Sequence, residues 1–184
     1  MNKSDDAAVP YEHIKVEGND IFFYCDVCQD SVTELSVALK KLERDLFVAT
    51  YGLDVVPCVR VHIHSDGGDL MSGLGCMDSM KRLKVRVVTI VEGLCASAAT
   101  FIFLGGSQRI VSPNAYVLIH QLSSECWGTY ENMKDEMKLC EQLMRRLKRI
   151  YLKETSLPEK KLDRLMKRDL YLSHRKCVRY GLEK

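Results

Sequence analysis

Three side chains in this sequence could carry out nucleophilic hydrolysis if the fold brought them together: Ser97, His120 and Asp169. A serine hydroxyl attacks a carbonyl when an imidazole takes its proton, and a carboxylate holds that imidazole in the required tautomer. Ser97 lies in the stretch Val85–Gly106. Val85–Val91 is β-branched and reads as a buried strand, ended by Glu92-Gly93. Cys95–Leu104 is small or apolar on every face and reads as a short buried helix. Ser97 therefore sits at a strand-to-helix join, where unpaired backbone N–H groups can stabilise an anion. The same position suits an ordinary helix N-cap, so this stretch alone leaves both roles open. His120 ends the strand Ala115–His120; on its own it reads as a hydrogen-bonded strand-end histidine. Asp169 lies in a break between elements, where a carboxylate can turn back over a sheet. Asp163, flanked by charged residues on a helix, reads as a solvated ion pair. The backbone N–H groups of Gly68 and Ala98 are candidate donors to an oxyanion.

The elements that must position these groups alternate. Ile21–Val27 reads as a strand, and Ser31–Glu34 as a helix start with a capping box. Leu35, Ala38, Leu39, Leu42 and Leu46 continue that helix as one apolar stripe. In Val59–His64, Val59, Val61 and Ile63 take one face of a strand and Arg60, His62 and His64 the other. Ser65-Asp66-Gly67-Gly68 is a sharp turn whose glycines let backbone approach a ligand. A helix over about Asp69–Leu83 follows, and then the Ser97 stretch. Such alternation predicts βαβ units, a mostly parallel sheet, and working groups at the C-terminal strand ends. Two short strands, Arg109–Val111 and Ala115–His120, flank the Ser112-Pro113-Asn114 turn. A long helix over about 128–155 carries the stripe Met133, Met137, Cys140, Leu143, Met144, Leu147 and Tyr151. One small domain cannot easily cover that stripe, which predicts self-association. Residues 1–19 read as a loosely tied arm and 20–184 as one domain.

Bulk properties exclude several classes. A formal net charge of +2 gives no electrostatic case for nucleic acid. The basic residues of Lys138–Arg149 and Lys160–Lys176 interleave with Leu and Met at helical spacing and read as solvated faces. Met1–Pro10 is polar and acidic, unlike a signal peptide, and Arg86 and Glu92 interrupt the best apolar run. The eight cysteines are scattered through apolar segments, as expected of reduced thiols in a cytoplasmic protein. Cys25 and Cys28 form one CxxC pair without a second, and His62 and His64 share a strand face without further ligands. Neither set completes a metal site, so no metal and no cofactor are expected.

Gly93-Leu-Cys-Ala-Ser97-Ala98, Leu118-Ile-His120-Gln121, Arg168-Asp169-Leu-Tyr-Leu-Ser173 and Tyr180-Gly-Leu182 together resemble the ClpP serine peptidases. Ser65-Asp66-Gly67-Gly68 resembles that family's Ser-Pro-Gly-Gly. The motifs occur in family order with near-family spacing, and the similarity covers about Ile21–Leu182. The resemblance implies an α/β fold of the ClpP/crotonase type, a spiral of ββα units with a long handle helix. It implies Ser97, His120 and Asp169 as a triad, Gly68 and Ala98 as oxyanion donors, and two stacked rings of seven around a proteolytic chamber. Polypeptide substrates would lie extended, as an added strand, in a groove formed by Gly67, Gln121, Leu122 and Ser123. Departures from the family are Asp66 for Pro, Ala98 for Met, and Ser-Ser-Glu-Cys within Leu122–Trp127 in place of Gly-Gly. The aromatic positions that receive an AAA+ unfoldase in the family fall on Arg60, His62 and Arg82, with only Ile110 apolar, so weak unfoldase docking is expected. Two other readings stand beside the self-compartmentalised endopeptidase. One is a ClpP-like phage head-maturation protease; the other is a structural ring subunit with a weak site. A crotonase-type acyl-CoA enzyme would have no reason to keep the three residues together.

Overall fold

Alternating apolar residues build the centre of the molecule. In the computed structural model, which describes residues 12–184, β3 (Cys58–Ser65) buries Val59, Val61, Ile63 and Ser65 and turns Arg60, His62 and His64 to the other face. β3 pairs in parallel with β2 (Asp20–Phe23) on one side and β4 (Arg86–Ala96) on the other. β1 (Lys15–Glu17) closes that edge as an antiparallel hairpin with β2. Of the expected N-terminal arm, residues 1–11 lie outside the described residues, and Lys15–Glu17 form β1.

Beyond β4, two strands share one edge in succession. β5 (Gln108–Val111) pairs with Val88–Val91, and β6 (Tyr116–Ile119) pairs with Leu94–Ala96, both in parallel. β7 (Leu170–Ser173) adds antiparallel to β6 and completes a seven-stranded, mostly parallel sheet. Helices α1 (Gln29–Ala49), α2 (Leu70–Met80) and α3 (Ala99–Gly105) contribute Leu35, Leu39, Met77, Phe101 and Ile102 to the same core as β3 and β4. α4 (Tyr130–Glu154) is the long helix; α5 (Glu159–Met166) and α6 (His174–Arg179) complete the chain. The mixed α/β spiral is the expected one.

Three boundaries differ from the sequence reading. α1 starts at Gln29, not Ser31, because Cys28 is the cap. Ser31 N–H donates to Cys28 Sγ at 3.4 Å and Cys28 N–H donates to Ser31 Oγ at 3.0 Å, a capping box three residues early. The strand expected over Ile21–Val27 ends at Phe23, and Val27 alone rejoins the sheet as a bridge to Gly68. Glu92-Gly93 does not end β4. The backbone takes φ +91 at Gly93 and the β3–β4 register shifts there. The His64 ring packs where a side chain at Gly93 would stand, and His64 Nδ1 accepts from Leu94 N–H at 3.1 Å. The strand therefore passes through a bulge and continues to Ala96.

Asp163 is an ion-pair residue as expected, with its carboxylate 2.8 Å from Lys148 Nζ. Among the described residues no helix is long and apolar enough to cross a membrane, and no His/Cys/Asp/Glu cluster could hold a metal.

Candidate active site

Ser97 is the one non-glycine residue with positive φ among the described residues, at +54. A serine in that region is strained and persists only where its surroundings hold it. Ser97 N–H donates to Leu118 O at 3.0 Å, which fastens the turn to β6. The Ser97 carbonyl accepts from Thr100 N–H at 3.0 Å, in the first turn of α3. Ser97 is thus not the N-cap of α3: Ala98 is, with no side-chain cap.

The glycine turn packs directly on this elbow. A Cβ at Gly67, where φ is +103, would come within 2.6 Å of Ser97 Cβ and 2.7 Å of the Ala96 carbonyl oxygen. A Cβ at Gly68 would meet the Val27 carbonyl oxygen at 2.3 Å. Val27 grips the turn on its far side: its N–H donates to Gly67 O, and its carbonyl accepts from Asp69 N–H, both at 2.7 Å. Among the described residues no protein group accepts from the Gly68 or Ala98 N–H. Both residues line the same cleft as Ser97, so the two donors are free for a ligand.

His120 is the first residue beyond β6, and Gln121 N–H holds the following segment to Met166 O at 2.8 Å. β6 and β7 pair Ile119 with Leu170, so His120 and Asp169 are the residues that flank the last pair of that ladder. The parallel pairing of Ala96 with Leu118 brings Ser97 to the same end of β6. The topology therefore gathers all three residues at one end of three adjacent strands. Their side chains are not linked: no hydrogen bond joins Ser97, His120 and Asp169 among the described residues, and Asp169 is exposed.

A cleft of about 230 Å³ lies over the elbow. Its walls include Gly68, Ser97, Ala98, His120, Gln121, Leu122 and Ser123, which are most of the residues expected for site and groove. Gly67 and Asp169 are not among them. Gly67 stands behind Ser97, where its missing side chain lets two backbones touch. The sequence reading missed five further wall residues: Asp69, Leu70 and Phe101, which neighbour the expected ones, and Leu147 and Tyr151 of α4. The i, i+4 spacing of Leu147 and Tyr151 is visible in the sequence, but as part of a stripe assigned to self-association.

A family model for Clp protease matches residues 53–183, which includes every residue of this cleft. The chain belongs to the Clp protease family. Among similar curated proteins is the ATP-dependent Clp protease proteolytic subunit of Oltmannsiellopsis viridis, 30% identical over 85% of this chain and 79% of the relative. The Deinococcus radiodurans subunit of the same name is 32% identical over 67% of this chain and 62% of its own length. Subunit 2 of Treponema denticola is 32% identical over 78% of this chain and 72% of the relative. The matched part thus falls short of two thirds of the Deinococcus subunit. Within this Clp-family fold, the residues behind the cleft are as constrained as those lining it. Gly73 of α2 has no room for a side chain, because a Cβ there would lie 2.7 Å from the Ala98 carbonyl oxygen.

Proposed function

We propose that this Clp-family chain is the proteolytic subunit of a self-compartmentalised serine endopeptidase acting on unfolded polypeptides. The observation that carries this reading is Ser97 itself: a strained serine at a strand-to-helix elbow, in a cleft shared with His120 and two free backbone donors. In this reading Ser97 Oγ attacks the peptide carbonyl while His120 takes its proton and later gives it to the leaving amine. Asp169 orients His120 and stabilises its positive form. Gly68 and Ala98 N–H receive the oxyanion of the tetrahedral intermediate. Gln121, Leu122 and Ser123 form the edge along which an extended substrate lies, with its selectivity coming mainly from backbone pairing.

The subunits assemble as rings of seven, two rings stacked around a chamber. A Clp-type unfoldase docks weakly, since the sheet face that would receive it carries, beside Phe22 and Ile110, an internally paired charged network. Arg60 is bonded through both Nε and Nη2 to Asp20, and His62 lies 3.0 Å from both Asp20 and Glu92. A second reading, a structural ring subunit with a weak site, is favoured by one observation: the three polar side chains are not hydrogen-bonded to one another within the single chain.

The two readings separate by active-site labelling. A fluorophosphonate should modify wild type once, with the added mass on Ser97, and Ser97→Ala should not react. Ser97→Ala and His120→Ala should each lose peptidase activity by on the order of 10⁴-fold. Full activity in Ser97→Ala overturns the serine mechanism, and an assembled but unlabelled wild type leaves the structural subunit.

A further inference from the structure

Tyr151 enters the site from α4. Its ring is buried against Phe101, with centroids 5.3 Å apart, and its hydroxyl lies 2.6 Å from Thr100 Oγ1. Thr100 is itself fully buried, and its Oγ1 donates to the Ser97 carbonyl oxygen at 2.6 Å. The directions of these bonds are forced. A carbonyl only accepts, so the single Thr100 hydroxyl proton goes to Ser97, and Tyr151 must donate its own proton to Thr100. Burial pushes the Tyr151 phenol well above its usual range, so that proton stays in place.

The recipient of this chain matters. The Ser97 carbonyl and the Ala98 N–H are the two ends of one trans peptide plane and point in opposite directions. Whatever fixes the carbonyl also fixes the N–H. Hydrogen bonds in a chain polarise one another, so a carbonyl drawn upon by Thr100 leaves the N–H of its own amide a stronger donor. The carbonyl accepts twice from Thr100, from Oγ1 and from N–H, and it belongs to the residue whose φ is +54.

We infer that Thr100 and Tyr151 are positioning residues, a buried relay that aims and polarises the Ala98 N–H toward the oxyanion and so ties α4 to the nucleophile's own peptide. The inference rests on the reading of Ser97 as nucleophile and Ala98 as oxyanion donor. It adds two residues whose hydroxyls act through the Ser97 carbonyl and not on the reacting atoms.

The test compares Thr100→Val, Thr100→Ser and Tyr151→Phe with wild type on a short fluorogenic peptide, alongside melting temperature and oligomer mass. Wild type is first labelled with a fluorophosphonate, with Ser97→Ala as control. The relay predicts that Thr100→Val and Tyr151→Phe lower kcat about tenfold, less than the loss of an oxyanion donor itself, with KM within about twofold. Inhibition by a peptide boronate, whose adduct places an oxyanion in the hole, should weaken by about the same factor. Thr100→Ser keeps the hydroxyl and should recover kcat to within about threefold of wild type. Unchanged kcat in Thr100→Val and Tyr151→Phe overturns the relay. So does a lower melting temperature with kcat and boronate inhibition intact, which would mean two hydroxyls satisfying each other and no more. A wild type that the probe does not label at Ser97 instead overturns the serine reading, and the relay with it.

Discussion

At the scale of the residue, the site depends on what two positions lack. Ser97 holds a positive φ that costs a non-glycine residue roughly 1–3 kcal/mol. It can do so because Gly67 brings no side chain into the space against it. A methyl group at Gly67 would require both a positive φ of its own and a contact 2.6 Å from Ser97 Cβ. Gly67→Ala should therefore destabilise the fold by about 2–3 kcal/mol and cut peptide hydrolysis at least about a hundredfold, through displacement of the elbow. Gly75 is the control. It lies in α2, where an added Cβ meets nothing within 4 Å. Gly75→Ala should leave activity intact and raise stability by up to about 1 kcal/mol, through better helix propensity. Thermal melts and peptide turnover on the two variants check both statements. Equal behaviour of the two alanines would mean that Gly67 is not packed on Ser97.

At the scale of the element, the outer face of the sheet carries a polar network spanning β2, β3 and β4. Asp20 is bonded by Arg60 and faces His62, which in turn faces Glu92. The Arg60 guanidinium, with His62 adding, holds the Asp20 carboxyl down from 3.8 to about 2 against the opposing effect of burial. A carboxyl whose folded pKa is depressed stabilises the fold above its unfolded pKa, and that stabilisation is lost as pH falls from about 4 to about 2. Arg60 is half exposed, so solvent screening limits the contribution to about 1 kcal/mol at neutral pH. Asp20→Asn should cost about that much in a urea titration at pH 7, and the difference from wild type should shrink as pH falls from about 4 and vanish only below about 2. A constant difference across that window would assign the effect to packing instead. The same face shows what a sequence can and cannot reveal. The alternation that sends Arg60, His62 and His64 outward was legible, because a strand's period of two is a local property. The pairing of Arg60 with Asp20, forty positions earlier, was not, nor was the bulge at Gly93, which depends on the ring of His64 across the sheet. The start of α1 was missed because a thiol is an uncommon cap and only the fold shows Ser31 answering it. Ser97, His120 and Asp169 could be chosen from motif and spacing, and the sheet register brings them to one end. Thr100 and Tyr151 could not be chosen, because a contact between α3 and α4 joins them and no local pattern signals it.

At the scale of the whole molecule, α4 is only partly used by its own chain. Leu147 and Tyr151 are its buried residues, both toward its C-terminal end, where the helix seats against the cleft. The first two residues of the apolar stripe face solvent: Met133 is 42% and Met137 65% exposed, and Trp127, just ahead of the helix, 99%. Its flanks are covered by short-range ion pairs, Glu131 with Lys134 and Asp135 with Lys138, which leave the stripe itself free. Exposed methionines one helical turn apart, with Trp127 beside them, are the surface that a second copy of the chain would bury, and closed symmetry then makes a ring. For a chain of 21.0 kDa, light scattering should give at least about 150 kDa, the mass of seven chains, at micromolar concentration. Met137→Glu places a charge on the exposed end of the stripe and should lower that mass, whereas Gly75→Ala, on another helix, should not. The assembled wild type, offered a Clp-type unfoldase and ATP, should show little capture and little stimulation, because docking an apolar loop on Arg60 and His62 would break the ion pair of Arg60 with Asp20 and the hydrogen bonds of His62. A clean monomer would remove the chamber from the proposed function. Tight, stimulatory docking would mean that the unfoldase binds a face other than the one bearing Arg60 and His62.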